Sequence, residues 1–246
     1  MKSTAMVKIA LTGLTGLALF SMPALAHEGG HQHYGDIGIE VENGKLIVGL
    51  LGNHDGHEHL DTSVKVFQSE IDEVEIGVFK FFNSTSPGFD FEDGILPGNS
   101  LFGFNILQPL LYWTGSGFSG AAGETMTILD SGSGQEATTG AGQVSGFKLA
   151  VDDEGGYHGH FTYFLNPASG QIAPASGIYL LHLYLYSDAL GADMGDAFAI
   201  VFNWDSSEEM HEDAIAYANA NVVPEPSSLV ALAAGALSFI AIRRRH

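Results

Sequence analysis

From residue 34 to residue 204 the chain is a succession of short runs rich in β-branched and aromatic residues, parted by Gly, Ser, Asn and Pro, with no strong helical period between them. Such runs bury one face of a pleated strand and turn sharply at their ends. They predict an all-β fold, an antiparallel β-sandwich. Residues 34–41 alternate apolar and polar side chains, as a half-buried strand does. Asn43-Gly44 suits a type I′ turn and leads into 45–51, which predicts a hairpin. Further strands are expected over 74–82, 101–107, 110–113, 124–129, 144–151, 158–165, 178–186 and 198–204. The segments 52–60, 115–123 and 131–143 read as loops. One α-helix follows. Ser206 with Glu209 three residues on forms a capping box, predicting a helix over 207–219 with Met210, Ala214 and Tyr217 facing inward.

The two ends are of another kind. Residues 1–26 have a basic start, an apolar centre and A-L-A closing at Ala26, the pattern of a secretory signal peptide. Residues 27–33, H-E-G-G-H-Q-H, form a flexible His-rich start. The β domain with its helix then spans 34–221, and 222–246 form a tail. In the tail Pro224, Glu225 and Pro226 precede a largely apolar run of 14 residues, Leu229 to Ile242, and then Arg243, Arg244 and Arg245. As a helix the 14 residues reach about 21 Å, against ~30 Å of hydrocarbon. Counted from Val223 the stretch is long enough for a transmembrane helix, with the arginines on the cytoplasmic side.

This three-part tail resembles the PEP-CTERM sorting signal. The resemblance implies a Gram-negative bacterium and an exosortase-type processing enzyme as partner. It further implies an exported chain held at the inner membrane by its C-terminal helix before processing, then delivered to the cell surface or extracellular matrix. Exopolysaccharide is a candidate partner there.

Charge narrows the function. All 29 acidic residues lie between Ala26 and Pro226, where the only basic residues besides histidine are Lys45, Lys65, Lys80 and Lys148. That part carries about −25 and no arginine. Such a field repels phosphate backbones, which excludes nucleic acid as a partner, and it favours cations. Cysteine is absent, so thiolate metal sites and cysteine nucleophiles are excluded.

Histidine is the remaining ligand, and it is clustered: His27, His31 and His33; His54, His57 and His59; His158 and His160. In a strand, residues i and i+2 share a face. His158 and His160 would then offer one ion two imidazoles, with a third histidine and a carboxylate (Asp36, Asp55, Glu58 or Asp61) closing the shell. His33 and the 54–59 cluster are the candidate completing ligands. Imidazole with carboxylate suits Zn²⁺, and also Cu²⁺ and Ni²⁺. The competing reading is a solvated polar strand edge. His182 reads as an interior or edge histidine and His211 as solvent-facing.

The order H-Y-G-D-I-G-I-E-V-E-N-G-K-L, H-G-H-F-T-Y-F-L-N, P-A-S-G-I-Y-L-L-H-L-Y-L is similar to that of bacterial surface-anchored domains under the zinc-uptake repressor, which include a PEP-CTERM branch. The resemblance spans roughly residues 31–203 and implies zinc handling outside the cytoplasm, with His33, His158 and His160 matching its histidines and Asp36 its aspartate. Here two residues, not one, separate His33 from Asp36, so the carry-over to Asp36 is weakened. The 54–59 cluster is an addition to that pattern.

The leading expectation is therefore an exported, non-catalytic protein binding a divalent metal, zinc first. The alternative is a structural exopolysaccharide-matrix protein with incidental histidines. An enzymatic reading would place copper on an N-terminal His27, but H-E-G-G lacks the preorganised shell such a site needs. Neither G-x-S-x-G nor H-E-x-x-H occurs, and no two carboxylates pair convincingly for glycoside hydrolysis. Deleting residues 224–246 is expected to release the exported protein in soluble form. Fractionation checks this, and a truncated chain that stays in the membrane fraction refutes the reading of the tail.

Overall fold

The structure, a computed structural model, describes residues 35–54, 57–121, 123–190 and 195–223. The expected signal peptide, the His-rich start with His27, His31 and His33, and the sorting helix with Pro224, Glu225 and Pro226 lie outside the described residues. Among the described residues no helix is long and apolar enough to cross a membrane.

In chain order the strands are β1 (Ile37–Glu42), β2 (Lys45–His54), β3 (His57–Asp61), β4 (Val66–Glu70), β5 (Asp72–Ile76) and β6 (Phe79–Ser84). Next come β7 (Phe89–Phe91), β8 (Leu101–Ile106), β9 (Leu111–Trp113), β10 (Phe118–Gly120), β11 (Thr125–Leu129) and β12 (Glu136–Thr138). Then follow β13 (Val144–Ala150), β14 (Tyr157–Gly159), β15 (Thr162–Asn166), β16 (Gly177–Ser187), β17 (Ala197–Trp204) and the helix α1 (Glu208–Asn221). The described chain is thus mostly β with one C-terminal helix, and no sheet closes into a barrel.

The strands form three sheets, where a simple sandwich has two. One has the order β14-β7-β1-β2-β3 and another β12-β11-β15-β6-β5. The largest runs β10-β9-β16-β17-β4, with β8 also on β16 and β13 beyond β8. An antiparallel arrangement holds for most pairs, but β1 with β7 and β17 with β4 are parallel. The sequence does not announce them, because β4 and β7 are short and a parallel partner arrives through a long connection.

The hydrophobic core is arranged around β16. Its even and odd residues separate cleanly, as a pleated strand requires. Tyr179, Leu181, Leu183 and Leu185 enter the main core with Phe198, Ile200 and Phe202 of β17. Ile178 and Leu180 face the other way and pack with Ala199 and Val201 beneath Ala214 and Ala218 of α1. A strand covered on both faces reads as a continuous apolar run, which is what 178–186 is.

Local signals explain most boundaries. Asn43 and Gly44 have φ of 52° and 77°, as a type I′ turn demands, and Glu42 pairs with Lys45 across it. The run 74–82, expected as one strand, is a hairpin: Gly77 takes φ 65° and Ile76 pairs with Phe79. The expected loop 52–60 is largely the β2–β3 hairpin, and the expected loops 115–123 and 131–143 contain β10 and β12. The run 158–165 is broken. β14 ends at Gly159, and Phe161 turns into the core among Phe89, Phe104 and Phe147. β15 then continues in a different sheet.

The helix is present, displaced by a residue or so. Ser207, not Ser206, is its N-cap, accepting a hydrogen bond from the Met210 N–H at 3.3 Å. Its buried stripe is His211, Ala214 and Ala218, so Met210 is exposed and His211 inside, the reverse of the sequence reading. Tyr217 packs its ring on Trp113 and Phe118. Leu181→Ala is expected to destabilise by about 2–5 kcal/mol, as a buried leucine loss does, and Met210→Ala to change stability by no more than about 0.5 kcal/mol. Urea unfolding of the two variants checks both, and a larger loss at Met210 contradicts this helix face.

Candidate functional site

His158 and His160 do not share a strand. His158 is the middle residue of β14, and His160 lies in the break before β15. Their rings nonetheless meet, with centroids 5.2 Å apart and planes at 73°. Each faces a carboxylate. The antiparallel register of β14 and β7 sets His158 directly opposite Asp90, and residues so paired share a face of the sheet. His158 Nδ1 lies 3.5 Å from Asp90 Oδ2. His160 Nε2 lies 3.6 Å from Asp36 Oδ2.

Asp36 is placed by the parallel β1–β7 pair. The Ile37 N–H donates to Gly88 O at 2.9 Å, and the Gly88 N–H donates to Asp36 Oδ1 at 2.7 Å. Gly88 permits the approach: a Cβ there would lie 2.8 Å from His160 Cε1 and 3.1 Å from Asp36 Oδ1. Asp36 is buried, whereas His158 and His160 are exposed.

His160 has a defined tautomer when neutral. Its Nδ1 is 3.1 Å from the Thr85 carbonyl oxygen. A carbonyl only accepts, so Nδ1 carries the proton and the lone pair is on Nε2, the atom directed at Asp36. A lone pair and a carboxylate face each other productively only across a cation: a proton on Nε2, or a metal ion. A backbone carbonyl holding the distal N–H is also the usual support of a metal-ligating imidazole. Among the described residues, however, no three of Asp36, Asp90, His158 and His160 have ligand atoms within 4.8 Å of one another. They form two imidazole–carboxylate couples side by side.

The surroundings are acidic. One cleft is lined by Asp90, Glu92, Asp93, Asp152, Tyr157 and His158. A neighbouring one shares Asp90, Phe91 and Glu92 and includes Glu58 and His59. β7 is the common wall, so one member of the 54–59 cluster reaches the neighbourhood of Asp90. His54 and His57 are paired across the end of the β2–β3 hairpin. His33 lies outside the described residues. Asp90 was missed in the sequence. Its short F-D-F strand carries too little pattern to place, and nothing local announces its register with His158. His182 is half-buried on β16, its Nδ1 3.2 Å from Gln108 Nε2, and burial lowers its pKa.

Two carboxyls of the 152–156 loop, beside this cleft, are perturbed in opposite directions. Hydrogen bonds from the Gly156, Gly155 and Glu154 N–H groups hold Asp152 below its ordinary value. Glu154 is raised, first by a side-chain hydrogen bond with Asp93 and then by the charges of Asp93 and Asp152.

Comparison with known proteins bears on the tail. Residues 222–245 match the PEP-CTERM protein-sorting motif. That motif defines a class: exported proteins processed by exosortase and delivered to the cell surface or matrix. This chain carries it. No curated protein matches the chain. Among solved structures it is similar, at 10% identity and a TM-score of 0.24, to a family 123 glycoside hydrolase from Clostridium perfringens. The likeness covers 56% of this chain and 23% of that one, and carries no argument about fold or activity.

Because the folded-state pKa of Asp152 is depressed, its contribution to stability is present above the unfolded value of about 3.9 and is lost as pH falls through the lower folded value. NMR titration is expected to place Asp152 below 3.8 and Glu154 above 4.5. The reverse order would contradict the geometry of the 152–156 loop.

Proposed function

We propose that this exported protein binds a divalent cation, zinc by preference, at the cell surface or in the matrix, without catalysing a reaction. The ligands are His158 and His160, with Asp36 and Asp90 as their carboxylate partners. His33 and the 54–59 histidines, His59 foremost, are candidates to complete the shell. The observation that carries the reading is the pair of exposed imidazoles, 5.2 Å between ring centroids, each directing a nitrogen at a carboxylate. Imidazole with carboxylate and no thiolate selects borderline cations, Zn²⁺ among them. The acidic, arginine-free field attracts the ion. The resemblance to zinc-repressor-regulated surface domains points the same way. Before processing, the C-terminal segment holds the chain at the inner membrane, and exopolysaccharide is its neighbour afterwards.

Zinc titration of the purified chain at neutral pH is expected to give saturable binding. The double substitution His158→Ala, His160→Ala should weaken it by about tenfold or more. Zinc at a hundredfold excess over Kd should add about 2.7 kcal/mol to stability, and the effect should fade on acidification because imidazolium does not ligate. Unchanged affinity and stoichiometry in the double variant would leave the structural matrix protein as the better reading.

A further inference from the structure

A second arrangement lies well away from these histidines in sequence, where β4 meets the first turn of α1. Glu70 ends β4, an edge strand that pairs with β17 and sets Glu70 beside Asn203. After Trp204 the chain turns at Asp205, whose φ is 48°, and Ser207 caps the helix. Glu208 and His211 follow at i and i+3 and so share a helix face. Ligand atoms of Glu70, Glu208 and His211 all lie within 4.8 Å of one another.

The floor of this group is unusual. His211 is only 1% exposed. Its Nε2 lies 3.1 Å from the Val201 carbonyl oxygen, so Nε2 carries a proton. Nδ1 is buried and has no hydrogen-bond partner. It is aimed at Glu70 Oε1, 3.2 Å away but not aligned for a hydrogen bond. That oxygen is steadied by Asn203 Nδ2 at 3.4 Å. A buried polar nitrogen left unpaired is costly, and a buried imidazolium pays desolvation as well. A cation on Nδ1 removes both costs. The spacing suits one, since metal–nitrogen and metal–oxygen bonds of about 2.0–2.2 Å in a tetrahedron place neighbouring ligands roughly 3.3–3.5 Å apart. An imidazole whose far N–H is held by a backbone carbonyl is the arrangement that orients metal-binding histidines.

We infer that Glu70, Glu208 and His211 form a cation site, distinct from the His158–His160 site, that takes a divalent first-row ion such as Zn²⁺ or Mn²⁺. His211 Nδ1 supplies the buried ligand, the two carboxylates supply oxygens from the exposed side, and water completes the shell. One imidazole and two carboxylates favour such ions over Ca²⁺, which prefers a shell of oxygens. The bound ion clamps the first turn of α1 to the edge strand β4, a few turns ahead of the sorting motif that begins at residue 222.

The test uses the full chain carrying His158→Ala and His160→Ala, so that the first site is removed. ZnCl₂ and, separately, MnCl₂ are titrated while thermal midpoint and stoichiometry are followed, with CaCl₂ as comparison. Glu208→Gln and Glu70→Gln are then added singly. Zinc or manganese should raise the midpoint, and each Glu→Gln change should weaken the binding by about tenfold or more while the chain still folds in EDTA. Two results would overturn the inference. One is binding that neither substitution alters, which assigns the ion to other residues. The other is an effect of Glu70→Gln on the midpoint that is the same in EDTA as in metal, with none from Glu208→Gln, which reduces the group to a simple His211–Glu70 ion pair.

Discussion

The two-sided burial of β16 is the constraint on which the rest of the molecule depends. Its odd residues serve the main core and its even residues the layer under α1. A one-residue slip against β17 would exchange the two sets and present Tyr179 and Leu181 to the small alanine face of the helix. Register is therefore strongly specified. Once β16 and β17 are paired, β8 and β9 divide the outer edge of β16 between them, and β4 adds to the far edge of β17.

The main core also explains the break in the G-Y-H-G-H-F-T-Y-F segment. A continuous strand would keep Phe161 on the opposite face from His158 and His160 but within the same sheet. Phe161 instead stacks among Phe89, Phe104 and Phe147. The chain leaves one sheet there and enters another. The two imidazoles stay close because each side of the break is tied to the 85–90 segment: His158 through its register with Asp90, His160 through Thr85.

Both candidate cation sites follow one pattern. A histidine commits one ring nitrogen to a backbone carbonyl and turns the other to carboxylates, His160 toward Asp36 and His211 toward Glu70. In a chain with so few basic residues, carboxylates have few internal cations to pair with. Lys80 is shared by Glu73 and Glu75, and Lys65 is spent on Asp196. A field of this sign draws cations from solution.

The sequence by itself determined the class of fold, the helix that follows the strands and its approximate span, the β1–β2 turn, the sorting tail and the concentration of histidine and acid. Each is written in local chemistry: residue period, a positive-φ Asn-Gly, a capping serine, a run of arginines. The sequence also placed His158 and His160 side by side, though for a reason the structure does not share. Only the tertiary structure decided that Asp90 faces His158, that Phe161 splits the strand, and that His211 is buried against Glu70 rather than solvent-facing. These depend on which strands lie next to one another. The parallel β1–β7 and β17–β4 pairs join segments far apart in the chain, and a partner that far away leaves no periodicity in either segment alone.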